Sequence, residues 1–260
     1  MAMAHWKLIS FDLKANFAFF KKPDYNDGLQ LSYNMLHKPG LLGILGAIVG
    51  LEGYKQKGEL PMYYQQFKHL LVSIEPLGHE KGNFQKTSVK YTNGVGYANA
   101  DGNLLVEETM LVAPAYRCYV LLDTGNELEA KLHDYIIQRK AEFIPYLGKN
   151  EFQAWLADIH EWDYSPLNSD RPFAVDSLFV KSGSIKNQIV ETEISFDFSV
   201  QSGSFTYFER LPIGFDEKLM QYQLNDFAYT DWRLKSSSKI ANLYTLKEKK
   251  NELLKNIQLF

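Results

Sequence analysis

Few of the side chains that do chemistry are grouped by spacing in this chain. Its six histidines, His5, His37, His69, His79, His133 and His160, form no H-E-x-x-H or other metal-ligand interval. Each reads as a surface or packed residue, and no metal or other cofactor is expected. No G-x-S-x-G elbow is present. Cys118 is the single cysteine, so an internal disulfide and a multi-cysteine zinc site are excluded. It sits inside an apolar strand pattern, as an inert core thiol does. Two Lys/His neighbours, His37-Lys38 and Lys68-His69, are of the kind that cleaves RNA by proton transfer and charge stabilisation, but a dipeptide is weak evidence of that chemistry.

Two stretches carry more. GLLGILGAIVG (40–50) is glycine-rich without a Gly-Lys-Ser/Thr ending or G-x-G-x-x-G spacing, which argues against a nucleotide phosphate loop. It reads as a tightly packed helix. A second reading stays open, in which the helix start, preceded by His37 and Lys38, offers free N–H groups at Gly40 to Gly43 and positive charge to a phosphate. The other stretch, about 77–103, is poor in apolar residues and carries the turn dipeptides Asn93-Gly94 and Asp101-Gly102. Its Lys81, Lys86 and Lys90 are interleaved with Phe84, Tyr91 and Tyr97. Cations for phosphates and flat rings for bases are what a single strand needs. The plainer reading is a solvated loop with its rings packed on the body.

The elements that must position these groups are legible in outline. WKLISFDLKANFAFF (6–20) reads as a first strand running into a loop or second short strand. A helix should begin near Pro39, with Gly43, Gly46, Ala47 and Gly50 on a face that allows close approach by a strand or another chain. Residues 63–76 read as the next strand, 77–103 as a protruding hairpin or mobile loop, and 104–123 as strand. Residues 126–143 form an amphipathic helix with Leu128, Leu132, Tyr135, Ile136 and Phe143 on one face. This order predicts an α+β, ferredoxin-like βαββαβ domain over 1–150. Short strand-like pieces at 176–180, 188–200 and 204–212 predict a smaller β-rich subdomain over 151–260. Its tail, 241–258, reads as a charged helix or a frayed end.

The 260 residues are 45% hydrophobic and 23% charged, which excludes global disorder. The longest apolar run, 40–51, is too short to span a bilayer, no signal-peptide layout opens the chain, and one cysteine fits a reducing, cytoplasmic setting. Net charge is −3, unusual for a nucleic-acid binder taken alone. Its distribution is uneven: residues 1–100 hold 11 Lys/Arg against 7 Asp/Glu, the remainder 17 against 24. A basic face on the first part fits that count.

Three segments together carry a resemblance. FDLKANFAFFKKPDYN with LSYNMLHKPGLLGILGAIVGLEGY, PYLGKNEF (145–152), and LPIGFDEKLMQYQLNDFAYTDW (211–232) resemble CRISPR-associated Cas family five, and its type I-B branch most. The resemblance implies a modified RRM-like (RAMP) domain with a hairpin thumb at about 77–103 and a smaller β subdomain. It implies a non-catalytic subunit of the type I Cascade interference complex in antiviral defence, capping the 5′ handle of the guide RNA (crRNA). Its partners would be the Cas family seven backbone and Cas family eight large subunits, and target DNA through the complex. One branch of the family, type I-C, instead cuts precursor crRNA without metal, which is the alternative activity. Residues and resemblance together nominate Lys14, Lys21 and Lys22 after the first strand. They add His37, Lys38, Gly40 and Gly43 at the helix start, Lys86, Lys90, Tyr91 and Tyr97 on the hairpin, and Lys149 after PYLG.

Overall fold

The computed structural model describes residues 5–24, 28–92, 105–182, 184–185, 188–189, 192–199, 203–248 and 254–260. It begins with β1 (Trp6–Ala15), the short β2 (Phe17–Ala18), β3 (Phe20–Lys21), β4 (Leu29–Gln30) and β5 (Ser32–Tyr33), and then α1 (Lys38–Val49). α2 (Met62–Phe67), β6 (Leu71–Leu77), β7 (Lys86–Thr92), β8 (Leu105–Val112), β9 (Ala115–Asp123) and α3 (Glu127–Gln138) follow. β10 (Ala154–Pro166), β11 (Phe179–Ser182), β12 (Ser184–Ile185), β13 (Gln188–Ile189), β14 (Thr206–Asp216), β15 (Gln221–Thr230), β16 (Leu243–Glu248) and β17 (Leu254–Gln258) complete it. The fold is mixed α+β, mostly antiparallel sheet with few helices.

The main sheet has six strands in the order β17-β16-β10-β1-β9-β6. β1 pairs antiparallel with β9 and β10, and β9 with β6. α1 links β1 toward β6, α3 links β9 to β10, and the two helices touch. β1 is buried on both faces, one apolar and the other carrying Ser10 and Asp12 beside Leu8. Ile9, Phe11 and Leu13 join the large core that includes α1 and α3, while Leu8 lies in a second core. The helix ends follow their caps: Asn126 accepts from the N–H groups of Leu128 and Glu129 at the start of α3, and Gly50 closes α1 at φ +84°.

The second core shows how the sheet is shaped. Leu8, Tyr119, Leu121, Trp162, Leu246 and Ile257 come from β1, β9, β10, β16 and β17, and Leu71 of β6 packs against them. Every strand of the sheet thus points a residue into one interior, which requires the sheet to curl. Its two edges meet. Phe260, just past β17, exchanges backbone hydrogen bonds with Val72 of β6 (3.2 and 2.9 Å). Lys255 of β17 donates to both oxygens of Glu75 on β6 at 2.6 and 2.7 Å, and Tyr119 donates to Glu75 Oε2 at 2.7 Å. Where the edges diverge, segment 176–180 bridges them: Leu178 N–H donates to Ile74 and Val180 N–H to the Gln258 side chain.

Several expectations change. Residues 62–67 are helical, with the strand starting only at Leu71; Tyr64 and Phe67, three apart, are the buried pair on one helical face. The tail, expected as a charged helix or a frayed end, is instead the antiparallel pair β16–β17. Leu246 and Ile257 are buried in the curled interior, and that tertiary burial overrides the helix preference of the Lys/Glu-rich run. β10, β16 and β17 lie beyond residue 150 yet belong to the main sheet, so a division at 150 falls between strands of one sheet. β14 and β15 form a separate hairpin with β11, and Phe227 of β15 sits against Phe260 at 4.9 Å between ring centroids. The close approach expected along the glycine face is made by Tyr63 of α2, and its tight point is Gly46, where a Cβ would overlap that of Tyr63. At Gly43 the Tyr63 ring is at an ordinary 3.5 Å.

The edge closure makes a testable demand. Glu75 and Lys255 are both largely buried, and removing one partner of a buried pair typically costs about 3–5 kcal/mol, because a charge is left uncompensated. Lys255→Met should therefore lower the urea unfolding free energy by about that amount, and adding Glu75→Gln should restore part of the loss. Wild-type stability for Lys255→Met would show that the sheet edges are held some other way.

Candidate nucleic-acid interface

The sequence-nominated residues at the start of α1 are in place, but their chemistry differs from the expectation. His37 is the N-cap, extended at φ −122° and ψ 161°, and its Nδ1 accepts from Gly40 N–H at 3.2 Å. Its carbonyl accepts from Leu41 N–H at 3.0 Å. The Gly40 amide expected to be free for a phosphate is therefore already bonded. His37 is 6% exposed, and burial lowers its pKa to about 3, so it is a neutral ring and not a phosphate-binding cation. Lys38 is 5% exposed and donates through Nζ to the main-chain oxygen of Phe260 at 3.0 Å. The ammonium faces the curled sheet edge, which corrects its assignment as a phosphate contact.

The loop before α1 is fixed by groups the motif search missed. Glu209 of β14 accepts from the N–H groups of Asn34 and Met35, each at 3.1 Å, and from Tyr207 Oη at 2.8 Å. Lys22 pairs with the same carboxylate at 3.2 Å and lies over the Tyr33 ring. Asn34 accepts from Phe84 N–H and donates to the Gly82 carbonyl, tying the loop to the base of the hairpin. Tyr116 Oη donates to the Asn34 carbonyl at 2.8 Å. The resemblance covers Asn34 within LSYN, but nothing in the sequence marks Glu209 as its partner.

PYLGK forms a second anchored loop. Leu147 O accepts from Phe19 N–H at 3.1 Å, and Leu147 N–H and Phe152 N–H close the loop on Phe152 O and Lys149 O. Gly148 has φ +87°, and a Cβ there would overlap the Phe19 carbonyl. Only glycine meets both demands. Lys149 then rises among the rings of Phe19, Tyr91 and Phe152, at 5.3, 4.7 and 6.0 Å from their centroids, and pairs with Glu108 of β8. Burial pulls its pKa down, and the Glu108 hydrogen bond and charge outweigh that. Lys149 is thus a cation with partners, joining the loop to strands β7 and β8.

These loops border a cleft of about 720 Å³. Five nominated residues line it: Lys21, His37, Gly40, Gly43 and Lys149. Tyr54, Tyr63, Phe143, Tyr146 and Tyr222 supply aromatic walls. The β7–β8 ribbon stands beside it, with Lys86 and Lys90 exposed, Lys90 3.7 Å from Glu107, and Tyr91 40% exposed next to Lys149. Tyr97 and both turn dipeptides lie outside the described residues. Lys14 is not part of this grouping. It shares the β1 face that bears Leu8, opposite the helices, and pairs with Asp12 at 3.4 Å and Asp158 at 3.3 Å. Among the described residues no group of three or more His, Cys, Asp or Glu could hold a metal ion, and no helix is long and apolar enough to cross a membrane.

No protein-family model matches the sequence, and no curated protein matches it. Solved structures do resemble the chain. A chain from a "CRISPR RNA-guided surveillance complex" is 12% identical, with 86% of this chain and 91% of that one covered, at a TM-score of 0.45. A CRISPR protein from Archaeoglobus fulgidus is 10% identical, with 97% and 99% covered, at 0.47. A chain from a type III-B Cmr-beta complex bound to cognate target RNA and AMPPnP is 10% identical, with 89% and 86% covered, at 0.46.

The His37 cap predicts an acid response. In the unfolded chain a histidine binds a proton below about pH 6.5, whereas His37 stays neutral in the fold down to about pH 3. The unfolded state therefore takes up the extra proton, and stability is lost as pH falls from about 6.5 toward 3. The slope from this group is about 1.4 kcal/mol per pH unit. His37→Asn keeps a strong N-cap and should flatten the stability–pH curve over that range by one proton. An unchanged slope in urea titrations would show that His37 is solvated.

Proposed function

We propose that this chain is a non-catalytic crRNA-binding subunit of a type I CRISPR interference complex, of type I-B character. In this reading it holds the 5′ handle of the guide and bridges the large subunit to the backbone subunits, in the cytoplasm. The observation that carries the reading is the grouping of Lys21, His37, Gly40, Gly43 and Lys149, from three separate sequence segments, around one cleft beside the β7–β8 ribbon. Two of the segments that carry the family resemblance meet there, and Tyr222 brings in the third. The order β10-β1-β9-β6 with α1 and α3 as the crossovers supports the ferredoxin-like βαββαβ reading, with β7–β8 as the thumb.

The curled sheet buries Tyr119 and Trp162 in its interior, so those rings are no platform for bases. RNA is directed instead to the helix side, where the ribbon offers Lys86 and Lys90 to phosphates and the cleft offers rings. A net charge of −3 gives weak long-range attraction for a polyanion. The isolated chain should therefore bind RNA poorly, with neighbouring subunits completing the site. Acid–base cleavage is disfavoured by the state of the groups at hand: His37 is engaged as a cap and Lys149 is held by Glu108.

Coexpression with the adjacent subunits and a CRISPR array tests this. The complex should retain a guide of defined length. Lys86→Glu with Lys90→Glu should reduce the guide recovered at least severalfold, without lowering the free subunit's Tm, because both side chains are exposed. Full guide recovery in that variant would remove the thumb contacts. Site-specific cutting of repeat RNA by the purified chain without metal would replace the proposal with the nuclease alternative.

A further inference from the structure

The cleft beside α1 has a composition of its own. Its floor is the α1 face bearing Gly40, Gly43 and Ala47, where a Cβ at Gly43 would meet only the Tyr63 ring, at an ordinary 3.5 Å, and its walls include the rings of Tyr54, Tyr63 and Tyr222. Tyr63 is largely enclosed, and burial raises its pKa, so it is a neutral phenol; Tyr54 stands exposed at the mouth. At one end lies the His37 ring, 94% buried. Its Nδ1 accepts from Gly40 N–H, which leaves the proton on Nε2, and among the described residues no group accepts from it. Of the charged residues that line it, Lys21, Glu108 and Lys149, the last two pair with each other and Lys21 is engaged as well. Flat neutral walls, a neutral N–H donor and a carboxylate at the rim suit an uncharged planar heterocycle better than a phosphate.

We propose that this cleft binds one unstacked nucleobase, held flat against the tyrosine wall on the Gly40–Gly43 floor, with a carbonyl or ring-nitrogen acceptor on His37 Nε2. This rests on the RNA-binding reading above and assigns the cleft to a base and the β7–β8 lysines to the backbone. The fixed His37 tautomer makes the site prefer bases that place an acceptor at that point over those that place an amino group there.

Saturation-transfer NMR on the full-length chain tests it, with adenosine, guanosine, cytidine and uridine as probes and ribose 5-phosphate as the base-free control. At least one nucleoside should receive saturation at its base protons, and ribose 5-phosphate should receive none. Gly43→Leu fills the cleft and should weaken that nucleoside's affinity at least tenfold. If Gly43→Leu fails to fold, Tyr54→Ala, at a side chain 61% exposed, should weaken it severalfold with an unchanged Tm. Absence of transfer to all four nucleosides, equal transfer to ribose 5-phosphate, or affinity unaffected by the folded variant would overturn the proposal. Guide recovery separates this from failure of the broader reading. A guide retained by the wild-type complex with no nucleoside binding sinks the base cleft alone. A nucleoside bound in the cleft with no guide retained sinks the RNA-subunit reading alone.

Discussion

The meeting of β6 with the end of β17 is the constraint on which the rest of this molecule depends. A sheet with helices on one side normally leaves its other face to solvent or to a ligand. Here the backbone bonds between Val72 and Phe260, and the Lys255–Glu75 pair with Tyr119, close that face over its own interior. Two consequences follow. Lys38, on the helix side, is recruited by Phe260 into the closure, and any extended ligand is left with the surface formed by α1, the PYLGK loop and the β7–β8 ribbon.

That surface is held by a few polar side chains and one glycine. Glu209 and Asn34 fix the loop that delivers His37 to the helix start, and Asn34 also grips the base of the ribbon through Phe84 and Gly82. Gly148 lets the PYLGK loop lie on Phe19, and Lys149 ties that loop to Glu108 and Tyr91 of the ribbon. Helix, loop and ribbon are thereby registered against one another. Such positioning by anchored loops on a rigid sheet is how a weakly charged chain presents a defined cleft.

Much of this was legible in the sequence where the signal is local. Pro39 and the apolar run placed α1, the 3.6-residue period placed α3, and the resemblance nominated HKPG and Lys149 separately, without showing that they meet. What was not legible depends on distant contacts. Residues 62–67 carry aromatics that favour strands, and only their packing against α1 makes them helical. The Lys/Glu-rich tail looks helical until β10 offers it an edge. Lys38 looks like a phosphate ligand because its partner lies 222 residues away. Glu209 carries no motif, since its role is set by the loop it caps.

The central claim is that RNA engages the helix–ribbon surface and that the sheet's second face is closed to it. Ultraviolet crosslinking of the assembled complex, with 4-thiouridine placed along the guide and adducts mapped by mass spectrometry, tests this most directly. The account predicts adducts within residues 17–22, 54–63, 86–92 and 143–149. Adducts concentrated on β1, β10 and β16 of the sheet, at Trp6, Trp155 or Tyr244, with none around the cleft, would contradict it.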